Sequence, residues 1–144
     1  MWSAYCKATG HRGPVPPMDQ FGDTRELGDE LLALVLSGDK RATCELKIWF
    51  DNHDELLPKT GDHWIITNGS GEPSCIIRTT QVDILPVNQV DEEFAYTEGE
   101  GDKTLKWWKE AHDAYYERQA AQDGFTYDDG MLCVAERFEL VWPK

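Results

Sequence analysis

Positive charge is scarce in this chain. Its 144 residues carry 14 Lys and Arg against 27 Asp and Glu, a formal net charge of -13. Proteins that follow a long polyanion through many phosphate contacts present a basic face, because counterion release supplies most of their non-specific affinity. The composition therefore speaks against a long nucleic-acid track. It leaves a small substrate, a local gathering of cations on an acidic background, or a charge that serves solubility alone. Long apolar runs are missing too: no stretch approaches the roughly 20 residues a membrane span needs. The opening "MWSAYCKATGHRG" lacks the apolar centre of a secretory leader. The expectation is a cytoplasmic protein without membrane contact.

Cysteine is sparse and scattered. Cys6, Cys44, Cys75 and Cys133 form no CxxC pair and have no His at ligand spacing, which removes a zinc site and a disulfide scaffold from consideration. Also missing are the G-x-S-x-G elbow and a phosphate-cradling glycine loop. Of the four histidines, His11, His53 and His63 fall near loops or turns. His112 sits on an aromatic helix face and reads as structural. A Ser/His/Asp or Cys/His mechanism has little to work with.

What is present is enough for one domain with one substantial core: 40% hydrophobic, 28% charged and 11% aromatic residues. Trp2 to Gly10 reads as a short helix, broken by "GPVPPMDQFG", so residues 1–20 form an arm packed on a domain of residues 21–144. Asp23 followed by Glu26 resembles a capping box, and Leu27, Leu31, Leu34 and Val35 recur at helical spacing up to the stop at Gly38. The period then changes to two. Ala42, Cys44, Leu46, Ile48 and Phe50 alternate with Arg41, Thr43, Glu45, Lys47 and Trp49, which predicts a half-buried strand. "HWIIT" and "SCIIRTTQVDIL" read as a hairpin. "NQVDEEFAYTEG" is a short helix ending at Gly99, and "DKTLKWWKEAHDAYYERQAAQ" a longer one capped by Asp102, with Leu105, Trp108, His112 and Tyr115 on one face. "GMLCVAERFELVW" closes the chain as a strand. The expected fold is α+β, a small mixed β-barrel with helices packed on its openings.

The stretch "SGDKRATCEL" carries the most chemistry. A lysine is a general base only when neutral, and lowering its pKa from about 10.4 to about 7 means destabilising the ammonium by roughly 4–5 kcal/mol. Partial burial at the helix-to-strand corner, with Arg41 and Lys47 nearby, pushes in that direction; a neighbouring carboxylate opposes it. Thr43, three residues on, is a nucleophile once such a base lies within hydrogen-bond reach. A surface lysine followed by a strand threonine accounts for the same spacing.

The order "ALVLSGDKRAT", "LPKTGDHW", a hairpin, "EEFAYTEGEGDKTLKWWKEAH" and "MLCVAERFELVW" resembles the ASCH domain family of the PUA-like β-barrel superfamily. The resemblance runs from about Phe21 to Trp142 and includes "FGD" at Phe21, Gly22 and Asp23 and the cleft motif G-x-K-x-x-T at Gly38, Lys40 and Thr43. It implies a PUA-like barrel and, among the activities of such domains, amide hydrolysis of N4-acetylcytidine with Lys40 as base, Thr43 as nucleophile and a Glu as proton donor. "AYTEGEG" offers Glu98 and Glu100; Glu98 follows Ala95 at the matching distance and is taken as the acid. No cofactor or metal is implied for this activity.

Protein-bound bases are commonly held by stacking, for which Trp49, Tyr96 or Phe21 serve, while Arg41 and Glu45 are hydrogen-bonding candidates for the pyrimidine or ribose. Each aromatic is also a reasonable core residue, Phe21 most of all. Two other readings stand beside this one: a metal-dependent ribonuclease using Lys40, Arg41, Lys47 and Arg78 as a phosphate patch, and a non-catalytic RNA-binding module. The charge of -13 counts against both. A small nucleoside is the expected partner, with a short RNA second.

Overall fold

Two long antiparallel strands organise the chain. In the computed structural model, which describes residues 1–143, β4 (Pro73–Pro86) and β5 (Leu132–Trp142) pair from Ile76↔Trp142 to Pro86↔Leu132. Register shifts at Ile76/Ile77 and Thr79/Gln81 bend the ladder. The first half of β4 also pairs with β3 (His63–Thr67), which pairs in parallel with the two-residue β1 (Met18–Asp19). The outer side of β5 carries β2 (Ala42–Leu46), antiparallel, with Thr43 opposite Glu136. Lys144 lies outside the described residues.

The strand order β1-β3-β4-β5-β2 leaves β1 and β2 as opposite edges, with no ladder between them among the described residues. The architecture is α+β as expected, but the sheet does not close into the expected barrel. One reason is that β2 is short. The alternation predicted to run through Phe50 breaks after Leu46, and Lys47–Asn52 form α3, where Lys47 pairs with Asp51 one turn away. "IWF" is a contiguous apolar run, and such a run does not demand a strand; here it wraps into a helix that lays Ile48 against the core. Trp49 therefore leaves the β2 face and stacks on His53.

Helices cover both faces of the sheet. Helix α1 (Trp2–Thr9) seats Tyr5 with Ile65, Ile76 and Val141. Helix α2 (Arg25–Ser37) brings Leu31, Leu32 and Val35 onto Ile66, Cys75, Ile77, Phe21 and Phe138. Cys75, Ile76 and Ile77 are consecutive and all buried, as expected where both faces are covered. A third cluster joins α4 (Glu92–Glu98) and α5 (Leu105–Asp123) to the sheet: Phe94, Trp108 and Tyr116 meet Ala42, Cys44, Leu46, Cys133 and Ala135. All four cysteines are free thiols. No helix is long and apolar enough to cross a membrane.

Two helix starts lie slightly inside the expected positions. The cap of α2 is Thr24, whose hydroxyl accepts from Leu27 N, and Asp23 instead pairs with Arg118. The cap of α5 is Thr104, itself held by Asp102. A cap hydrogen bond is worth about 1 kcal/mol, an exposed ion pair less than that. Thr24→Ala should therefore lower the unfolding free energy in urea by about 1 kcal/mol. Asp23→Ala should cost at most about half as much; the reverse order would return the cap to Asp23.

Candidate functional site

Lys40 follows the left-handed Gly38 that ends α2, and its side chain runs inward with 1% of its surface exposed. Its ammonium has three N-H groups, and three acceptors meet it: Ala42 O at 2.7 Å, Glu98 Oε2 at 3.1 Å and Glu100 Oε2 at 2.9 Å. The Phe21 ring closes a further side, its centroid 5.1 Å from Nζ. Burial acts to lower the pKa of Lys40, but the charges of Glu100 and Glu98 outweigh it and the net direction is upward. The expected neutral-leaning lysine is thus corrected: at rest Lys40 is an ammonium with no lone pair. Arg41 and Lys47 do not supply the expected push. Arg41 is exposed, and Lys47 faces Asp51 on α3.

The two carboxylates converge because the chain turns sharply between them. Glu98 is the last residue of α4, Gly99 takes φ 75°, and Glu100 returns to the same ammonium. A Cβ on Gly99 would lie 1.9 Å from Asp39 O, and one on Gly101 would lie 2.2 Å from the Trp107 ring. Both positions need glycine for space as well as for φ. Lys103 holds the far end of the loop by pairing with Asp39 at 3.1 Å, its ammonium above Tyr96.

Glu98 and Glu100 are chemically unlike. Glu98 Oε1 accepts from Trp108 Nε1 at 2.7 Å, and Oε2 faces Lys40 Nζ and His112 Nε2, the latter at 3.2 Å. Burial opposes its ionisation, yet His112 and Lys40 hold it well below the usual carboxylate range. Glu100, its side chain 13% exposed, shares Lys40 but has no hydrogen bond to Trp108 or His112 among the described residues. Burial and the Glu98 charge raise it against the pull of Lys40, and it is pushed up to about 7. Sequence reasoning missed His112 and Trp108 as members of this cluster, reading both as core. The available signal was a histidine one helical turn after a tryptophan on an otherwise apolar face.

The remaining sequence-predicted residues are distributed unevenly. Thr43 is half-buried on β2, directly after Ala42, whose carbonyl binds Lys40; its hydroxyl makes no hydrogen bond among the described residues. Glu45, two residues along β2, accepts from Gln119 Nε2 at 2.8 Å and from Tyr115 OH at 3.3 Å, and burial raises its pKa. Phe21 is core, edge-on to Trp64 and stacked with Phe138, as well as a wall of the Lys40 site. Tyr96 is 61% exposed. Trp49 is on α3, with His53 rather than the lysine cluster as its neighbour. Arg78 pairs with Glu139 and Lys47 with Asp51, so the expected phosphate patch is not assembled from free cations.

Glu98, Glu100 and His112 present ligand atoms within 4.8 Å of one another, a spacing that admits a metal ion. Their donor atoms are already committed. Glu98 uses both oxygens, His112 turns Nδ1 to Trp108 O and Nε2 to Glu98, and the Lys40 ammonium occupies the centre between the carboxylates. A divalent cation would have to displace a buried ammonium, so these residues do not fit a metal.

A sequence profile described as the ASCH domain matches residues 18–142. The chain belongs to the ASCH domain family. Solved structures agree. The ASCH domain from Lactobacillus crispatus is 35% identical, with a TM-score of 0.88, over 97% of this chain and 91% of that one. A protein from Enterococcus faecalis is 36% identical, with a TM-score of 0.90, over 98% and 87%. A hypothetical protein with 14% identity and a TM-score of 0.57, over 88% of this chain and 99% of that one, shows the fold alone. No curated protein matches the chain. In this ASCH domain the G-x-K-x-x-T motif supplies the buried ammonium and, one residue beyond the Ala42 carbonyl that binds it, a hydroxyl on β2.

Two measurements check the electrostatics. Removing the ammonium strands two carboxylates in the interior, so Lys40→Met should destabilise by about 3–5 kcal/mol at pH 8. The loss should be smaller at pH 5, where Glu100 takes up a proton. A loss independent of pH would place the effect in packing. Separately, Glu100 has its pKa raised from 4.5 to about 7, so its contribution favours the folded state below pH 4.5 and is lost as pH rises to about 7. That loss is about 3 kcal/mol. The unfolding free energy of the native protein relative to Glu100→Gln should fall by this order between pH 4.5 and 7.5; a constant difference would show that Glu100 titrates normally.

Proposed function

We propose that this ASCH domain is an amidohydrolase that removes the acyl group from N4-acylated cytosine nucleosides, N4-acetylcytidine foremost. The observation that carries the reading is the 2.9 Å hydrogen bond between Lys40 Nζ and Glu100 Oε2, a base and an acid that differ by one shared proton. Moving that proton from the ammonium to the carboxylate turns the resting ion pair into a neutral amine and a carboxylic acid. These are the two groups that amide cleavage requires.

The steps then balance. Lys40, as the amine, takes the Thr43 hydroxyl proton while Oγ1 attacks the acyl carbon. The carbon–nitrogen bond breaks as Glu100 protonates the departing exocyclic nitrogen. Cytidine leaves, Thr43 holds the acyl group as an ester, and Lys40 and Glu100 are again an ion pair. A second transfer from Lys40 to Glu100 prepares hydrolysis: water gives a proton to Lys40 as it attacks the ester, and Glu100 returns one to the Thr43 oxygen. The family pattern makes Glu98 the donor. Its three hydrogen bonds and depressed pKa suit a permanent counter-ion instead, so the acid role goes to Glu100 in this proposal. Arg41, exposed and next to Lys40 in the chain, and Phe21, beside the ammonium, are the candidates to contact substrate. The net charge of -13 suits a small neutral substrate better than an RNA track, and a cytoplasmic setting is consistent with four free thiols.

Cytidine release from N4-acetylcytidine, followed by chromatography with and without EDTA, tests the proposal. Release should be EDTA-resistant, drop at least about 100-fold in Thr43→Val and Glu100→Gln, and survive in part in Thr43→Ser. Because the active tautomer has the same proton count as the resting ion pair, kcat/KM should rise with pH through Glu100's value of about 7 and then level off. A flat profile from pH 5 to 8 would return the acid role to Glu98. Metal-dependent RNA cleavage without cytidine release would replace the proposal with the nuclease, and binding without turnover would replace it with the RNA-binding module.

A further inference from the structure

His112 is the group in the cluster that the proposed reaction leaves unused. Its ring lies within α5, buried, and both nitrogens face acceptors: Nδ1 is 2.9 Å from the Trp108 carbonyl oxygen and Nε2 is 3.2 Å from Glu98 Oε2. A neutral imidazole has one N-H and one lone pair. With Glu98 ionised, one of the two contacts would then set a lone pair against an oxygen lone pair in a buried site, whereas the imidazolium donates at both. The aromatic stack accommodates that charge. The Trp108 ring lies 4.0 Å from the His112 ring at 16°, so an imidazolium meets the negative face of an indole. That same indole sends its N-H to the other oxygen of Glu98, which ties the three side chains into a closed triangle.

We propose that His112 is a charged positioning residue that keeps Glu98 ionised and so confines the exchangeable proton of the cluster to Glu100. This role rests on the proposed function for its catalytic meaning, though not for its existence. The charge count explains the effect. Lys40 and His112 are two cations set against Glu98 as an obligate anion, and Glu100 is left as the one carboxyl group of the cluster that takes up and gives back a proton. Glu100 is also the most exposed of the four, which gives that proton a route to solvent. The titratable groups around His112 are Glu98 from α4, Glu100 and Lys40 across the carboxylates, Glu45 from β2, Cys133 from β5 and Tyr116 on its own helix. Three of these are carboxyl groups. Burial opposes the charge on His112, and the Glu98 and Glu100 carboxylates with the Trp108 carbonyl together outweigh it.

Without His112, Glu98 and Glu100 would become two carboxyl groups competing for one ammonium. The proton would spread over both, and Glu100 would hold it to higher pH.

The test has two arms. In the native protein labelled with 15N at histidine, long-range proton–nitrogen NMR should show both His112 ring nitrogens at imidazolium shifts at pH 7 and 8. A neutral-tautomer pattern at pH 7 would overturn the proposal, whatever the enzyme does. In His112→Gln, the carboxyl 13C resonance of Glu100 should titrate at a pH higher by on the order of one unit, carrying the acid limb of kcat/KM with it. The variant would then be about tenfold slower than the native protein at pH 6 and within about twofold of it at pH 9. A uniform loss at every pH, with Glu100 titrating as before, would mean that His112 only supports packing. Should the protein fail to release cytidine, both NMR measurements still decide the role of His112. Should the variant not fold, the native-protein spectrum decides it.

Discussion

The structure turns on one buried ammonium. Taking the Lys40 charge out of water costs several kcal/mol, and each neutral hydrogen bond returns only about 1 kcal/mol, so formal counter-charges are required. Meeting that requirement explains features that otherwise look unrelated: a glutamate at the end of α4, a second one two residues later, and a tryptophan and histidine one turn apart on α5 to steady the first. The assembled cluster is not a source of stability. Well-packed apolar groups of similar size would do as well or better, whereas losing one member of the cluster leaves the others unpaired. Its rigidity comes from the cores on either side, with Phe21 and Phe138 below the ammonium and Phe94, Trp108 and Tyr116 behind the carboxylates.

Backbone geometry decides that the two glutamates share a target. Residues two apart on a helix point to different sides, so an uninterrupted α4 would have sent Glu100 away from Lys40. The left-handed Gly99 folds the chain back, and Asp39 O beside Gly99 and the Trp107 ring beside Gly101 leave no room for a side chain at either position. Glu98 meanwhile occupies a helix C-terminus, where the backbone dipole disfavours an anion by a few tenths to about 1 kcal/mol. A lysine and a protonated histidine overcome a term of that size easily. The site thus places one carboxylate where charge is forced on it and another where charge is contested, which separates their proton affinities within three residues of sequence.

Much of this was legible in the chain, for definable reasons. Strong periodic signals gave α2, the β3–β4 hairpin, α4 with its stop at Gly99, and the closing strand β5. Lys40 and Thr43 emerged from local spacing together with the resemblance to ASCH domains, Glu98 and Glu100 from the resemblance alone. The misses share a cause. Whether Lys47–Asn52 continues a strand depends on what β5 and the core present to Ile48, and whether the sheet closes depends on edges far apart in sequence. Tertiary context overrides local pattern in both. The direction of the Lys40 shift was open for the same reason: "GDKRAT" has cations beside the lysine, and the carboxylates that reverse the shift are 58 and 60 residues away.

A lysine that is firmly protonated at rest looks unsuited to act as a base, and on its own it would be. The difficulty eases when base and acid are a hydrogen-bonded pair. What matters is then the free-energy difference between two arrangements of one proton, not the affinity of either group for a proton from bulk water. Burial favours the neutral arrangement, because an amine with a carboxylic acid is less costly in an apolar site than two ions. Glu98 disfavours it, because an ammonium is a better partner for a fixed carboxylate than an amine is. A charged His112 moderates that opposition by sharing Glu98 Oε2 with Lys40 and supplying a second donor there. With Glu98 so held, Lys40 is released in part from its role as counter-ion, and its proton can be shared with the one carboxylate that reaches solvent.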